Sequence, residues 1–112
     1  MNKTYHVKKN TEIEAILNNK VFKNNRYFSV YKKQNIETGH FRYALSVGKK
    51  IGNAVIRNQY KRRLRAILDE VILDKSVSYD VFIIAKKPIL EIDYEETKKQ
   101  LSFLLKKLNL TK

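Results

Sequence analysis

Apolar residues recur along this 112-residue chain with two periods, one near 3.6 and one near 2, and the switches between them mark out its elements. Ile13, Ile16 and Leu17 fall at helical spacing behind Thr11-Glu12-Ile13-Glu14, a sequence with the form of a capping box. There the Thr11 hydroxyl can accept from the Glu14 N–H while the Glu14 carboxylate reaches back, which predicts a short helix over residues 11–18. Asn18-Asn19-Lys20 and Lys23-Asn24-Asn25 predict an irregular connection, because Asn favours turns over regular elements. Over residues 26–31, Phe28 and Val30 alternate with Tyr27, Ser29 and Tyr31, the mark of a strand with one apolar and one amphipathic face.

Asn35-Ile36-Glu37-Thr38-Gly39 predicts a hairpin connection to a second strand. In that strand Phe41, Tyr43, Leu45 and Val47 share one face, and Arg42, Ala44 and Ser46 take the other. Gly48 and Gly52 bracket a turn, after which Asn53 is placed to cap a helix from Ala54 to about residue 73. Ile56, Tyr60, Leu64, Ile67 and Val71 form one core-facing stripe on it. Residues 77–85 carry Tyr-Asp-Val-Phe-Ile-Ile-Ala, too short for a buried helix and rich in β-formers, so they predict a central strand that Lys86-Lys87-Pro88 ends. Asp93 with Glu96 three residues on caps a last helix, whose apolar face is Leu101, Leu104, Leu105 and Leu108. The predicted fold is a single α+β domain over residues 1–112, with a small mostly antiparallel sheet and three helices in the order α-β-β-α-β-α.

Charge changes this picture from a generic small domain to a binding protein. Lys and Arg number 24 against 11 Asp and Glu, giving a formal net charge of +13 beside 43% hydrophobic residues. That apolar content is too high for a disordered basic tail, so the charge sits on a folded surface. With no cysteine, disulfides and thiolate metal sites are excluded. The opening Met-Asn-Lys-Thr-Tyr-His lacks the apolar run of a secretory signal and no window reaches the length of a membrane span, so the expected address is cytoplasmic. His6 and His40 lie far apart with no matching ligands, and there is no Ser–His–Asp pattern, Gly-rich phosphate loop or zinc spacing.

The cations are concentrated. No acidic residue occurs between Glu37 and Asp69, and Lys49, Lys50, Arg57, Asn58, Lys61, Arg62 and Arg65 load one helix and the turn before it. A merely solubilising face would mix signs, whereas this one suits a polyanion: arginines grip phosphate bidentately, Lys61 acts as a point charge and Asn58 donates an amide hydrogen bond. These residue types suit RNA and DNA equally. Tyr27 and Tyr31 can stack unpaired bases, or pack under the first helix with their hydroxyls at the rim.

The run from Ser46 to Arg65, Ser-Val-Gly-Lys-Lys-Ile-Gly-Asn-Ala-Val-Ile-Arg-Asn-Gln-Tyr-Lys-Arg-Arg-Leu-Arg, resembles the signature of the protein subunit of bacterial ribonuclease P. The resemblance extends to Val7-Lys8-Lys9-Asn10, to Asn25-Arg26 with Phe28 and Tyr31, to Ile83-Ile84-Ala85-Lys86-Lys87-Pro88, and to Tyr94-Glu95-Glu96-Thr97. It implies a ribosomal protein S5 domain 2-like fold with a left-handed β-α-β crossover. It also implies a non-catalytic protein subunit of a ribonucleoprotein endonuclease that removes the 5′ leader of precursor tRNA. The catalytic RNA would supply the active centre and hold the Mg2+ ions; protein oligomerisation is not implied. Carried onto this chain, Lys49, Lys50, Asn53, Arg57, Asn58, Lys61, Arg62 and Arg65 would face the catalytic RNA. Ile13, Leu17, Tyr27, Phe28 and Tyr31 would line or flank the leader cleft. Two departures stand out: Gln59 replaces the second Arg of the usual Arg-Asn-Arg, and Ile13 and Leu17 stand where the first helix usually presents Phe.

Three other readings use the same charge. A structural RNA-binding protein of the ribosome would show no preference for a leader, and a protein-only nuclease would cleave without an RNA subunit. A membrane-surface protein would need bulky apolar residues free for lipid, but Ile56, Tyr60 and Leu64 are wanted by the core.

Overall fold

The structure, a computed structural model, describes residues 3–111; the part of the chain-start reading that rests on Met1 and Asn2 lies outside the described residues. The elements are α1 (Asn10–Asn18), β1 (Phe22–Asn24), β2 (Phe28–Gln34), β3 (Arg42–Val47), α2 (Ala54–Val71), β4 (Tyr79–Ala85) and α3 (Tyr94–Lys107), with 3₁₀ turns at Lys3–Tyr5 and Lys87–Glu91. The four strands form one mixed sheet in the order β1-β2-β4-β3, antiparallel except for the β3–β4 pair.

That order corrects the hairpin expectation, since β2 and β3 are not neighbours and β4 lies between them. The cause is burial: Val81 and Ile83 on one face of β4 and Phe82 on the other are all buried, so this strand needs partners on both edges and cover on both faces. The 35–39 segment does turn, with Gly39 at φ +71°, but it crosses the start of β4 and is stitched to it. The Asn35 N–H donates to the Ser78 carbonyl at 2.9 Å and the Phe41 N–H to the Lys75 carbonyl at 2.9 Å.

Period-2 alternation divides the sheet's faces as expected. Phe28, Val30, Tyr43, Val47, Val81, Ile83 and Ala85 meet Leu64, Ile67 and Leu68 of α2 and Leu101, Leu104 and Leu105 of α3 in the main core. On the opposite face Ala44 and Phe82 meet Val7 and Ile16, with Ile13, Leu17, Tyr31 and Ile84 packed around them. The chain is thus three layers, α1 on one face and α2 with α3 on the other.

Helix starts differ in how they are made. Asn53 caps α2 by accepting from the Ile56 N–H at 3.0 Å, and Asp93 caps α3 through the Glu96 N–H at 2.9 Å; such caps contribute about 1 kcal/mol each. The predicted capping box at Thr11 and Glu14 is not formed. The first helix begins one residue earlier, at Asn10, and only the Lys9 carbonyl serves its first turn, accepting from the Glu12 and Ile13 N–H groups. Helix α2 ends at Val71, short of residue 73, because buried Ile72 turns into the core and leaves Leu73 outside. The connection predicted between α1 and β2 contains β1, three exposed residues paired to Tyr31, Val30 and Ser29, and β2 itself runs on to Gln34.

Gly52 is required by the α2 cap. A Cβ there would lie 2.9 Å from Ile56 Cγ2 and 3.0 Å from its Cβ, so any side chain would push the first core residue of α2 out of place. Gly52→Ala should cost about 1–3 kcal/mol, read from urea unfolding; an unchanged midpoint would mean that the cap tolerates the shift.

Candidate nucleic-acid interface

The strongest internal electrostatics tie α1 to the sheet and use up a cation that the sequence had left unassigned. Arg42 on β3 donates through Nε to Asp80 Oδ1 at 2.9 Å and through Nη2 to Asp80 Oδ2 at 2.7 Å, and Nη2 also reaches Glu12 Oε2 of α1 at 2.6 Å. Asn35 Nδ2 donates to Asp80 Oδ2 at 3.0 Å. The paired Asp80 holds the guanidinium ionised well above its ordinary range, against the desolvation that burial imposes. Two lysines are also structural. Lys32 Nζ donates to the Leu108 carbonyl at the end of α3 at 2.6 Å, and Lys86 Nζ to the Asn25 carbonyl at 2.7 Å. Burial lowers the Lys32 pKa.

With those cations committed, the α2 surface stands apart. The ion pairs formed among the described residues take Arg26, Arg42 and Lys98, and Arg57, Lys61 and Arg62 are not in them. Lys49, Lys50, Asn58, Arg62 and Arg65 are exposed, and Arg57 and Lys61 are half-buried on the same helix flank. Spacings of four residues carry Arg57, Lys61 and Arg65 along one line, with Asn58 and Arg62 beside it. The Asn53 oxygen is engaged by the cap, which reduces it to an amide donor. Arg57 Nε is buried, and no described residue accepts from it, which leaves an ionised donor in need of an anion or water. Arg63 sits 4.8 Å from the centre of the Tyr60 ring, one turn beyond Gln59, so the neighbour that could replace the missing Arg is already stacked.

The leader-cleft set divides. Ile13, Leu17 and Tyr31 come together on the α1 face. Phe28 does not: it is 0% exposed in the main core on the other face, since β2 alternation points it towards α3, and it offers nothing to a ligand. Tyr27 packs against that same core, because it precedes β2 in the Asn25 turn, where Asn25 Oδ1 accepts from the N–H groups of Tyr27 and Phe28. In their place the fold brings Phe22 of β1, 42% exposed, into a stack on Tyr31 at 4.9 Å. Sequence reasoning missed Phe22 by reading its surroundings as irregular; the Phe22–Tyr31 register is what aligns the rings.

A second unforeseen feature is a groove of about 200 Å³ where the N-terminal segment, α1, β3 and α2 meet, lined by His6, Ile13, Tyr43, Leu45, Lys61 and Arg65 among others. His6 Nε2 lies 3.0 Å from the Tyr43 hydroxyl. Among the described residues no group of three or more His, Asp or Glu side chains is placed to hold a metal ion, and no helix is long and apolar enough to cross a membrane.

The chain is similar to known proteins along nearly its whole length. The family model described as Ribonuclease P matches residues 1–109. The ribonuclease P protein component of Bacillus cereus (strain B4264) is 42% identical over 107 residues, 96% of this chain and 93% of that protein. The structure of the Staphylococcus aureus RNase P protein superposes with a TM-score of 0.86 at 31% identity, covering 96% of this chain and 98% of that one. The RNase P protein from Thermotoga maritima gives a TM-score of 0.76 at 25% identity, over 91% and 96% of the two chains.

Proposed function

The chain belongs to the ribonuclease P protein family, and we propose on that premise that it is the protein subunit that binds the catalytic RNA and the 5′ leader of precursor tRNA, promoting endonucleolytic removal of the leader. In this reading it acts in the cytoplasm, the RNA is the catalyst, and the protein is its non-catalytic partner. The observation that carries it is the α2 flank, where Arg57, Lys61 and Arg62 are outside the ion pairs formed among the described residues, although acidic side chains pair with Arg26, Arg42 and Lys98. Such a flank screens phosphate repulsion between two crowded RNAs. In this reading the Mg2+ ions of the reaction are held mainly by the RNA, and the protein acts on them only through the phosphates it screens.

The testing experiment is cleavage of precursor tRNA at low magnesium with three samples: the cognate RNA alone, the protein alone, and both. Stimulation of the RNA by the protein is the expected result. Cleavage by the protein alone would make it a nuclease in its own right, and no stimulation would remove it from tRNA maturation.

Tyr31, Leu17, Ile13 and the Phe22 ring form the aromatic and aliphatic wall on which leader bases would rest. Tyr31→Ala should weaken binding of leader-bearing precursor by about 1–3 kcal/mol and leave mature tRNA nearly unchanged. Equal losses for the two RNAs in a filter-binding assay would take Tyr31 out of the leader site.

A further inference from the structure

A second cationic surface lies on the outer side of α3, apart from the α2 flank and from the wall under α1. Glu70 of α2 accepts from Lys98 Nζ at 2.7 Å and from the Tyr94 hydroxyl at 3.1 Å. Five residues separate Glu70 from Arg65, about 140° around the helix, so α3 packs on the side of α2 turned away from the line of Arg57, Lys61 and Arg65. Thr97, Leu101, Leu104 and Leu105 of α3 are buried, which leaves Lys99, Phe103, Lys106 and Lys107 outside. Lys99 and Lys106 stand about 4–6 Å along the axis on either side of Phe103. Lys107 Nζ lies 5.3 Å from the centre of the Phe103 ring. Of the five Phe rings three are buried, Phe22 is stacked on Tyr31, and Phe103 is the most open at 56% exposed. No acidic residue follows Glu96 in the sequence, and Lys99, Lys106 and Lys107 are outside the ion pairs formed among the described residues. The nearest carboxylates on the helix, Glu95 and Glu96, sit in its first turn, where Glu96 accepts from Gln100 at 3.1 Å. Complementing the helix dipole explains Lys106 and Lys107 in the last turn, but neither Lys99 nor an open ring among them.

We propose that this face is a separate seat for single-stranded RNA, in which an unpaired base lies on Phe103 while the phosphates on either side meet Lys99 and Lys106, and that its occupant is a second RNA chain, not the one gripped by α2. A ring accepts any base and a lysine any phosphate, so the seat carries no sequence preference. A strand on the α2 flank would have to cross that helix and its Glu70 to reach Phe103, which assigns the face to a different chain. Lys23 extends the seat, since its register with Val30 puts it on the sheet face that α3 covers, at the β1 edge. A lipid surface is the poorer fit, because an interfacial helix turns several bulky apolar residues outward and the leucines of α3 are all inside. The seat stands independently of the function proposed above.

The chain has no tryptophan, so Phe103→Trp supplies a reporter that sees this face alone. Its fluorescence is followed in the full chain, free and preloaded with catalytic RNA, during titration with an oligouridylate decamer, an abasic decamer of the same backbone, or phosphatidylglycerol vesicles. Oligouridylate should quench the emission in both states and the abasic strand should quench little. Adding Lys99→Gln and Lys106→Gln should lower the slope of log affinity against log salt by about 1.4, the share of two phosphate contacts on a single strand. Equal quenching by the two strands would take the base off Phe103 and overturn the seat, as would no quenching at all. Quenching by the catalytic RNA that leaves no response to oligouridylate would give the face to the first RNA and overturn the second chain. Displacement of oligouridylate by the vesicles would make the face a lipid surface and overturn the RNA assignment. A failed seat together with intact stimulation of precursor cleavage would leave the subunit's function standing.

Discussion

Raising salt from 50 to 200 mM should weaken binding of the catalytic RNA by about 10³–10⁵-fold, the fall expected when roughly 6–10 phosphates exchange condensed counterions for protein cations. The α2 flank and the Lys49-Lys50 turn supply Lys49, Lys50, Arg57, Lys61, Arg62 and Arg65, which is enough side chains for the lower end of that range. The four on α2 are anchored by a helix whose opposite side is in the core, so little ordering is left to be done there on binding. Removing Lys61 and Arg65 together by substitution with Ala should lower the slope of log affinity against log salt by about 2, one for each lost contact. Arg42→Ala should not change that slope, because its guanidinium is turned inward to Asp80 and Glu12. A slope unaffected by the double substitution, with cleavage intact, would detach α2 from the RNA.

The largest loss of stability should come from Asp80→Ala, about 3–5 kcal/mol, enough to lower the thermal midpoint by more than about 10 °C. The Asp80 side chain is 7% exposed and faces Arg42 at 15%, so removing the carboxylate strands a guanidinium in a dry site. It also deprives Asn35 Nδ2 of its acceptor and frees the loop that crosses β4. Glu12→Gln should cost only about 1 kcal/mol, since Glu12 is more open to water and Arg42 keeps its bidentate partner. Pairing Arg42→Met with Asp80→Leu should recover most of the loss, because an apolar pair removes the desolvation penalty at both ends. Differential scanning calorimetry orders the three variants, and an Asp80→Ala midpoint equal to that of Glu12→Gln would show the network to be dispensable.

The elements that sequence revealed are those whose own side chains fix them. The stripe Ile56, Tyr60, Leu64, Ile67 and Val71 and the Asn53 cap define α2 locally, and the leucines and the Asp93 cap do so for α3. Neighbour relations were less legible. A turn-forming 35–39 segment between two apolar strands reads as a hairpin, and only the burial of β4 on both faces places that strand between them. The cationic surface was readable because charge needs no partner to be recognised. Arg42, by contrast, looks like any other basic residue until Asp80 and Glu12 arrive from 38 and 30 residues away. Phe28 joins the cleft set through the resemblance alone: alternation itself sets it with Val30 on the apolar face, which the fold buries against α2 and α3, and Tyr27, just ahead of β2, packs against the same core. His6 and Phe22 carry no local signal at all and become site residues only through the strands they register against.

Because β4 pairs with both β2 and β3 and follows both in sequence, the sheet stays incomplete until residues 79–85 are made. Until residues 79–85 emerge, β2 and β3 have unsatisfied edges, and Arg42 waits with them for Asp80. A chain interrupted before residue 79 therefore carries the whole cationic segment of α2 without the strand that ties β2 to β3.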